Sequence, residues 1–242
     1  MTGAVERFAT PDELASGVAR ALVDRLTEIQ GEGRTPHLVL TGGTIAAHVH
    51  TALASQESPL RWDDVEIWFG DERYVPRDDA DRNAGQARAT LLDKVPVDPA
   101  RVHEMPASDG AYAGDAEAAA LAYAATLLSQ APADEPWFDI LMLGIGDDGH
   151  CASLFPGRPE VLDPAPVVAV RRAPKPPPTR LSLGMQTLNR AREVWFVVSG
   201  ANKAEALTSA YHGTDVLDVP AAGPRGVHRT VWFVDEDAAW ML

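Results

Sequence analysis

One stretch of the chain places a histidine and two aspartates where an apolar segment meets a glycine-rich turn. Residues 138–156 read FDILMLGIGDDGHCASLFP, with Asp148 and His150 inside the turn. Histidine suits proton transfer because its ordinary pKa of about 6.5 lies near neutral pH, and a nearby carboxylate can fix its tautomer. The stretch therefore predicts a general base at the end of a strand. The alternative is a structural histidine that hydrogen bonds hold inside the turn.

A second turn, Gly42-Gly43-Thr44, could bind an anion. It follows the apolar segment His37 to Thr41 and precedes a helical pattern, and free amides at a helix start favour phosphate groups. A tight turn that needs glycine for steric reasons alone explains the same residues equally well. GGTIAA lacks the G-x-G-x-x-G spacing and no G-x-x-x-x-G-K-[ST] occurs, which disfavours a dehydrogenase or a kinase.

Charged side chains follow other apolar segments. Asp71, Glu72 and Arg73 come directly after one of them and could orient a polyhydroxyl ligand with an anionic group. Arg180 and Lys203 could each meet a phosphate, because cations are scarce in so acidic a chain. Ordinary surface charge explains each of these residues taken alone. Convergence in one crevice would separate the two interpretations.

Composition restricts the possible partners. The formal net charge is −14 and the pI is about 4.8, which argues against a basic face for nucleic acid or a membrane surface. Cys151 is the one cysteine, so an intrachain disulfide and a cysteine-based zinc site are excluded, and no histidine pair shows metal-ligand spacing. Without a signal-peptide pattern or a membrane-length apolar stretch, we expect a cytoplasmic protein with no metal.

The elements that must position these residues alternate between strand and helix. The pattern predicts helices from Pro11 to about Gln30, from Thr44 to Leu53, over Asn83 to Leu92 and over Asp115 to Gln130. It predicts strands at His37 to Thr41, 65–69, 140–143, Val194 to Val198 and Val231 to Val234. The prolines of 174–178 predict a stiff, extended segment before Arg180.

Alternating elements predict an α/β fold with an open, mostly parallel, Rossmann-like sheet and helices on both faces. A chain of 242 residues fits one domain spanning 1–242. Parallel strands put their carboxyl ends on one edge, where open sheets bind ligands. The turns after the strands should therefore meet in a single crevice.

Six segments together resemble the 6-phosphogluconolactonase family: LTGGT (40–44), GDERYVP (70–76), Asn83, GIGDDGHCASLFPG (144–157), PPTRLSL (177–183) and SGANKAEAL (199–207). The resemblance implies a sugar-phosphate-isomerase-like fold and hydrolysis of 6-phosphoglucono-δ-lactone to 6-phosphogluconate in the pentose phosphate pathway. It also implies that no cofactor is needed. The chain departs from the family where Thr41 to Ala46 replaces Ser-Gly-Gly-Ser-Thr-Pro, and where Cys151 replaces threonine.

Carried over by position, the resemblance assigns proton transfer to His150. From its place in the turn, Asp148 is predicted to hold the histidine ring, with a purely structural turn residue as the alternative. The candidate substrate-binding residues are Gly42, Gly43, Thr44, Asp71, Arg73, Gly146, Ser153, Arg180 and Lys203. Backbone amides of the 144–149 turn are candidate donors to the oxyanion. G-x-S-x-G does not occur, so water is the expected nucleophile.

Two alternatives remain open. Glucosamine-6-phosphate deaminases resemble this pattern but carry DEY where Arg73 follows the acids here, and a glutamate where this chain has Phe155. The other is a noncatalytic sugar-phosphate sensor of the same fold, although no basic helix-turn-helix stretch is present. The expected partner is a phosphorylated sugar lactone, without nucleic acid or membrane, and the expected state is a monomer or small homo-oligomer.

Overall fold

The computed structural model describes residues 3–130 and 136–242. Its strands are β1 (Ala4–Phe8), β2 (His37–Leu40), β3 (Glu66–Phe69), β4 (Asp71–Arg73), β5 (Phe138–Leu143), β6 (Val167–Val170), β7 (Arg180–Leu183), β8 (Ala191–Val198) and β9 (Arg229–Asp235). Its α-helices are α1 (Pro11–Gly31), α2 (Thr44–Ser55), α3 (Asn83–Ala87), α4 (Ala116–Gln130), α5 (Met185–Leu188) and α6 (Ala204–His212). One turn of π-helix, Arg88–Leu92, continues α3.

The main sheet of the described residues is parallel throughout, in the order β1-β9-β8-β5-β2-β3. Every residue of β5 is buried, as expected of a central strand that helices cover on both faces. The predicted mostly parallel α/β sheet is therefore confirmed. The predicted strands and the four predicted helices lie where the pattern placed them, within a few residues at their ends.

Two apolar layers lie on opposite sides of this sheet. One contains the buried faces of α1 and α2, and the other contains those of α4 and α6. The strands contribute to both layers because neighbouring residues of a strand point to opposite faces: Ile140 and Met142 belong to one layer, Leu141 and Leu143 to the other. Helices on both faces are thus confirmed.

The start of α1 shows how local sequence sets an element. The Thr10 side chain accepts a hydrogen bond from the backbone N–H of Glu13 at 3.2 Å, and the Glu13 carboxylate accepts one from the backbone N–H of Ala9 at 3.2 Å. This reciprocal pair satisfies amides that a helix start leaves free. The helix begins at Pro11 as predicted.

The sequence pattern did not predict β1 or a small antiparallel sheet in the order β4-β7-β6. Strand β1 reads AVERF and is a half-exposed edge strand, so it lacks the continuous apolar run of the buried strands. Strands β4 and β7 carry charged residues at the positions that also line the crevice. No α-helix within residues 3–130 and 136–242 has the length and apolar character needed to cross a bilayer.

Candidate active site

A cavity of about 330 Å³ opens at the carboxyl ends of β2 and β5, where the predicted turns converge. Of the predicted site residues it is lined by Gly42, Gly43, Asp71, Arg73, Gly146, His150, Arg180 and Lys203. A second cavity of about 560 Å³ adjoins it, shares Gly42, Gly43 and Lys203 with it, and includes Thr44. The distant loops therefore meet in one crevice, as the sheet prediction required.

His150, which lines the cavity, forms a close pair with Asp148. The ring Nδ1 lies 2.5 Å from Asp148 Oδ1, and the side chains are 17% and 32% exposed. Partial burial raises the pKa of Asp148, but the hydrogen bond and charge of His150 outweigh burial and hold that pKa well below its usual range. A carboxylate at Nδ1 selects the tautomer whose Nε2 accepts a proton, which is the arrangement a general base needs.

The turn around the pair requires glycine at two places. A Cβ on Gly146 would lie 1.9 Å from His150 Nδ1 and 2.3 Å from Asp148 Oδ1, where it would clash with both side chains. Gly149 has a φ of +86°, which side chains rarely adopt. The amides of both glycines are used within the turn, from Gly146 to the His150 carbonyl and from Gly149 to the Gly146 carbonyl. Gly146 therefore makes room for the imidazole, and these two amides are used within the turn, which leaves the other amides of residues 144–149 as the candidate oxyanion donors.

Phe155 lies beneath the histidine. It is 1% exposed, and its ring centroid is 4.6 Å from that of His150. The guanidinium carbon of Arg180 lies 5.5 Å from the same phenyl centroid. An apolar ring supports the imidazole at the position where the deaminase pattern carries an acid.

The Gly42-Gly43 turn presents backbone at the junction of the two cavities. Gly43 has a φ of +100°, and a Cβ on Gly42 would lie 2.0 Å from Asn83 Oδ1. No side chain caps α2, which begins at the next residue, Thr44. The first amides of α2 therefore lack a side-chain acceptor, which suits an anion at this point.

Two side chains hold the Asp71 carboxylate by hydrogen bonds. Ser153 Oγ donates to Asp71 Oδ2 at 2.6 Å, and Asn83 Nδ2 donates to Asp71 Oδ1 at 3.2 Å. Ser153 is completely buried and lines neither cavity. Its predicted place in the substrate-binding set is therefore corrected: Ser153 orients Asp71, which does line the cavity.

The prediction that Glu72 helps to orient a ligand is also wrong. The side chain is fully buried, and its carboxylate accepts hydrogen bonds from the backbone N–H groups of Arg73, Asn83 and Ala84 at 2.7, 2.7 and 2.9 Å. Arg82 Nη2 lies 3.4 Å away. Glu72 thus ties β4 to the start of α3 and does not orient a ligand.

The predicted cations differ in how many hydrogen bonds they donate to other residues of the chain. Arg180 donates from Nε to the Pro177 carbonyl at 3.2 Å, and from Nη2 to those of Lys175 and Pro176 at 3.1 and 2.9 Å. Arg73 donates from Nη1 to the Asp81 carbonyl at 2.6 Å. Lys203 is half-buried at the junction of the cavities, and burial lowers its pKa against the opposing charge of Asp147.

Lys175 is a cavity residue that sequence reasoning missed. Its ammonium contacts Asp147 and lies 3.5 Å from Asp148 Oδ1, beside the histidine. Residues 174–178 were predicted to be extended, but the segment turns back so that the Ala173 N–H donates to the Pro178 carbonyl at 2.8 Å. The turn follows from Arg180, whose three hydrogen bonds gather neighbouring carbonyls around one guanidinium. We call residues 173–178 the proline loop.

The described residues contain no group of three or more histidine, cysteine, aspartate or glutamate side chains placed to hold a metal ion. His48 and His50, which follow the glycine turn, do not face a common ligand. His50 is buried, and burial lowers its pKa to about 4. His48 lies on the surface, with Nδ1 3.7 Å from Asp12 Oδ1.

Known proteins are similar to this chain both in sequence and in the arrangement of helices and strands. The chain is 43% identical to the 6-phosphogluconolactonase of Mycobacterium bovis, over 100% of this chain and 99% of the relative. It is 43% identical to that of Streptomyces coelicolor over 95% and 90%. The solved structure of the 6-phosphogluconolactonase from Thermotoga maritima superposes with a TM-score of 0.84 at 27% identity, covering 96% of this chain and 99% of the other.

A family model described as glucosamine-6-phosphate isomerases/6-phosphogluconolactonase matches residues 9–232, which include every part of the cavity described above. The chain belongs to the glucosamine-6-phosphate isomerase/6-phosphogluconolactonase family.

Proposed function

We propose that this chain hydrolyses 6-phosphoglucono-1,5-lactone to 6-phosphogluconate. The observation that carries the proposal is one cavity lined by His150, which is paired with Asp148, and by Lys203 and the glycine turn that precedes the uncapped start of α2. The relatives at 43% identity over nearly their full length are named for this lactonase activity. A cyclic ester with a remote phosphate matches this combination of a proton acceptor and anion-binding groups.

In the proposed mechanism His150 is the general base. Its Nε2 takes a proton from a water molecule as that water attacks the C1 carbonyl, and Asp148 stabilises the imidazolium that forms. When the tetrahedral intermediate collapses, the bond from C1 to the ring oxygen breaks and His150 returns the proton to that oxygen. Water supplies the new oxygen, and the products are a carboxylic acid and a hydroxyl on the opened chain.

The phosphate is proposed to lie near the junction of the cavities. Lys203 borders both cavities, and the amides that begin α2 lie beside it. These groups are remote from the reacting carbon, so they supply binding energy that holds the lactone against the histidine. Arg180 contributes mainly by holding the proline loop, because its hydrogen bonds already go to carbonyls of that loop.

Phe155 favours the lactonase over the deaminase alternative. Ring opening and amine release need an additional acid near the histidine, and this position holds a buried phenyl ring 4.6 Å from the imidazole. The partly exposed His150 and its paired Asp148 favour an enzyme over a noncatalytic sensor, since a sensor has no need of a proton acceptor in its cavity.

A two-substrate assay tests the proposal. The purified protein is assayed for acid release from 6-phosphogluconolactone and, separately, for ammonia release from glucosamine 6-phosphate. The rate of spontaneous lactone hydrolysis is subtracted from the first measurement. We expect rapid acid release and no ammonia. Ammonia release would favour the deaminase. Binding of 6-phosphogluconate without turnover of either substrate would favour the sensor.

A further inference from the structure

Lys175 lies in an unusual place for this chain. Lys94, Lys175 and Lys203 are its lysines, and arginine supplies the remaining basic side chains. Lys94 is exposed on the surface, whereas Lys175 and Lys203 both line the catalytic cavity. An ammonium is a compact point charge, unlike the planar guanidinium, so its effect depends on which single groups lie close to it.

The proline loop fixes the position of this charge. Arg180 is 4% exposed and donates to the backbone carbonyl of Lys175 itself, as well as to those of the next two residues. The Lys175 backbone is therefore held by a buried side chain. From this anchor the ammonium reaches over the catalytic turn to Asp147 and Asp148.

One oxygen atom joins Lys175 to the catalytic pair. Asp148 Oδ1 lies 2.5 Å from His150 Nδ1 and 3.5 Å from Lys175 Nζ. The ammonium is thus within about 6 Å of Nδ1, a distance at which a charge still acts strongly on a half-buried ring. Asp148 favours the protonated imidazole, and a cation at this distance disfavours it.

We propose that Lys175 is a positioning residue that opposes Asp148 and so keeps His150 in its neutral, proton-accepting form at lower pH. Asp148 is needed for its tautomer and orientation effects, but an unopposed carboxylate would also keep the imidazole protonated at pH values where a base is required. Lys175 offsets that second effect by sharing the carboxylate oxygen. The proposal concerns the catalytic histidine and therefore rests on the lactonase function stated above.

The other charged groups around His150 do not change between the variants that test this. They are Asp147 on the same turn, Asp71 and Arg73 on β4, Arg180 on β7 and Lys203 after β8. Except for Asp147, which loses its ion-pair partner in Lys175→Met and keeps it in Lys175→Arg, their contributions cancel when a Lys175 variant is compared with the wild type. The difference therefore reports the charge at residue 175.

The first measurement is an NMR titration of the His150 ring in the full-length protein, with the signal assigned by its loss in His150→Gln. We expect Lys175→Met to raise the titration midpoint by about 0.5 to 1 pH unit, since a repelling cation is removed. Lys175→Arg retains the charge and should stay near the wild-type midpoint. Lys94→Met is the surface control and should not move it. Added salt should shrink the difference between Lys175→Met and the wild type.

The second measurement is the pH profile of kcat/KM on 6-phosphogluconolactone and on unphosphorylated gluconolactone. We expect the acid limb of Lys175→Met to move upward with both substrates, in step with the NMR midpoint. An unchanged or lowered midpoint, or an equal rise in Lys175→Arg, would overturn the proposal. A loss confined to the phosphorylated substrate without a midpoint shift would also overturn it and make Lys175 a phosphate ligand. If the wild type hydrolyses neither lactone, the proposed function fails, while the titration still decides the role of Lys175.

Discussion

His150 is held on two sides by groups of different character. Asp148 fixes one ring nitrogen at 2.5 Å, and the Phe155 ring lies 4.6 Å from the imidazole. These contacts restrict both the rotation and the tautomer of the ring without covering it completely. His150, which lines the cavity, is therefore held in place before any substrate arrives.

Replacement of His150 tests the proton-transfer role directly. We expect His150→Ala to lower kcat/KM on 6-phosphogluconolactone by roughly 10²- to 10⁴-fold, the range usual for loss of a general base. His212→Ala, at the exposed end of α6, is the matched control and should retain full activity. Circular dichroism should show the same fold in both variants. Near-normal turnover by His150→Ala would exclude this residue as the base.

Lys203 can be tested by substrate comparison. We expect Lys203→Ala to raise KM for the phosphorylated lactone at least about tenfold and to leave unphosphorylated gluconolactone largely unaffected, because a charge-assisted contact to phosphate is worth about 1.5 to 3 kcal/mol. Lys94→Ala removes an exposed lysine and serves as the control. Equal losses on the two substrates would place the phosphate elsewhere.

The sequence predicted which residues lie at the site more accurately than it predicted the role of each residue. Their arrangement at strand ends was sufficient to predict that His150, Asp71 and Lys203 share a cavity. It could not distinguish Glu72 from its neighbours, because successive strand residues point to opposite faces and the register of β4 depends on its partner β7. Lys175 was missed because its position depends on hydrogen bonds from Arg180, which no local pattern reports.

Among the elements, the turn after β5 is the most constrained. It must bring Asp148 back toward His150 within two residues, and it closes through the hydrogen bond from the Gly146 N–H to the His150 carbonyl at 2.8 Å. The space that the imidazole occupies exists because residue 146 has no side chain. Local backbone conformation and the geometry of the proposed catalytic pair are therefore linked at one position.

A single methyl group at this position should separate fold from activity. We expect Gly146→Ala to lower kcat by at least about tenfold, because the added Cβ would displace the ring from Asp148. Gly31→Ala, at the end of α1, adds the same methyl group where no atom lies within 4 Å, and should keep wild-type activity. The His150 NMR signal should shift in the first variant only. Full activity in Gly146→Ala would show that the His150–Asp148 contact is dispensable.

The main elements could be predicted because their signals are local. A buried parallel strand is a continuous apolar run, and the Thr10–Glu13 pair marks the start of α1 by its spacing alone. The β4-β7-β6 sheet could not be predicted in this way. Its strands are short, and the pairing of β4 with β7 joins residues more than a hundred positions apart in the chain.

Across the whole molecule, the two apolar layers share one sheet. Because alternate residues of β5 and β8 belong to opposite layers, neither layer can lose its packing without exposing the other. We therefore propose that residues 1–242 form one domain. Calorimetry should show a single transition whose van't Hoff and calorimetric enthalpies agree. Two resolved transitions would show that the chain contains two independently unfolding domains.

The pairing of β1 with β9 has a consequence for handling the protein. Residues 4–8 occupy the hydrogen-bonding side of the last strand, so the backbone of Val231 to Asp235 is covered by a segment from the other end of the chain. A truncation that removed this cover would leave a row of unsatisfied amides and carbonyls open to a neighbouring molecule, which is how exposed strands seed aggregation. Fusion partners are therefore better tolerated when a spacer leaves residues 4–8 free to pair.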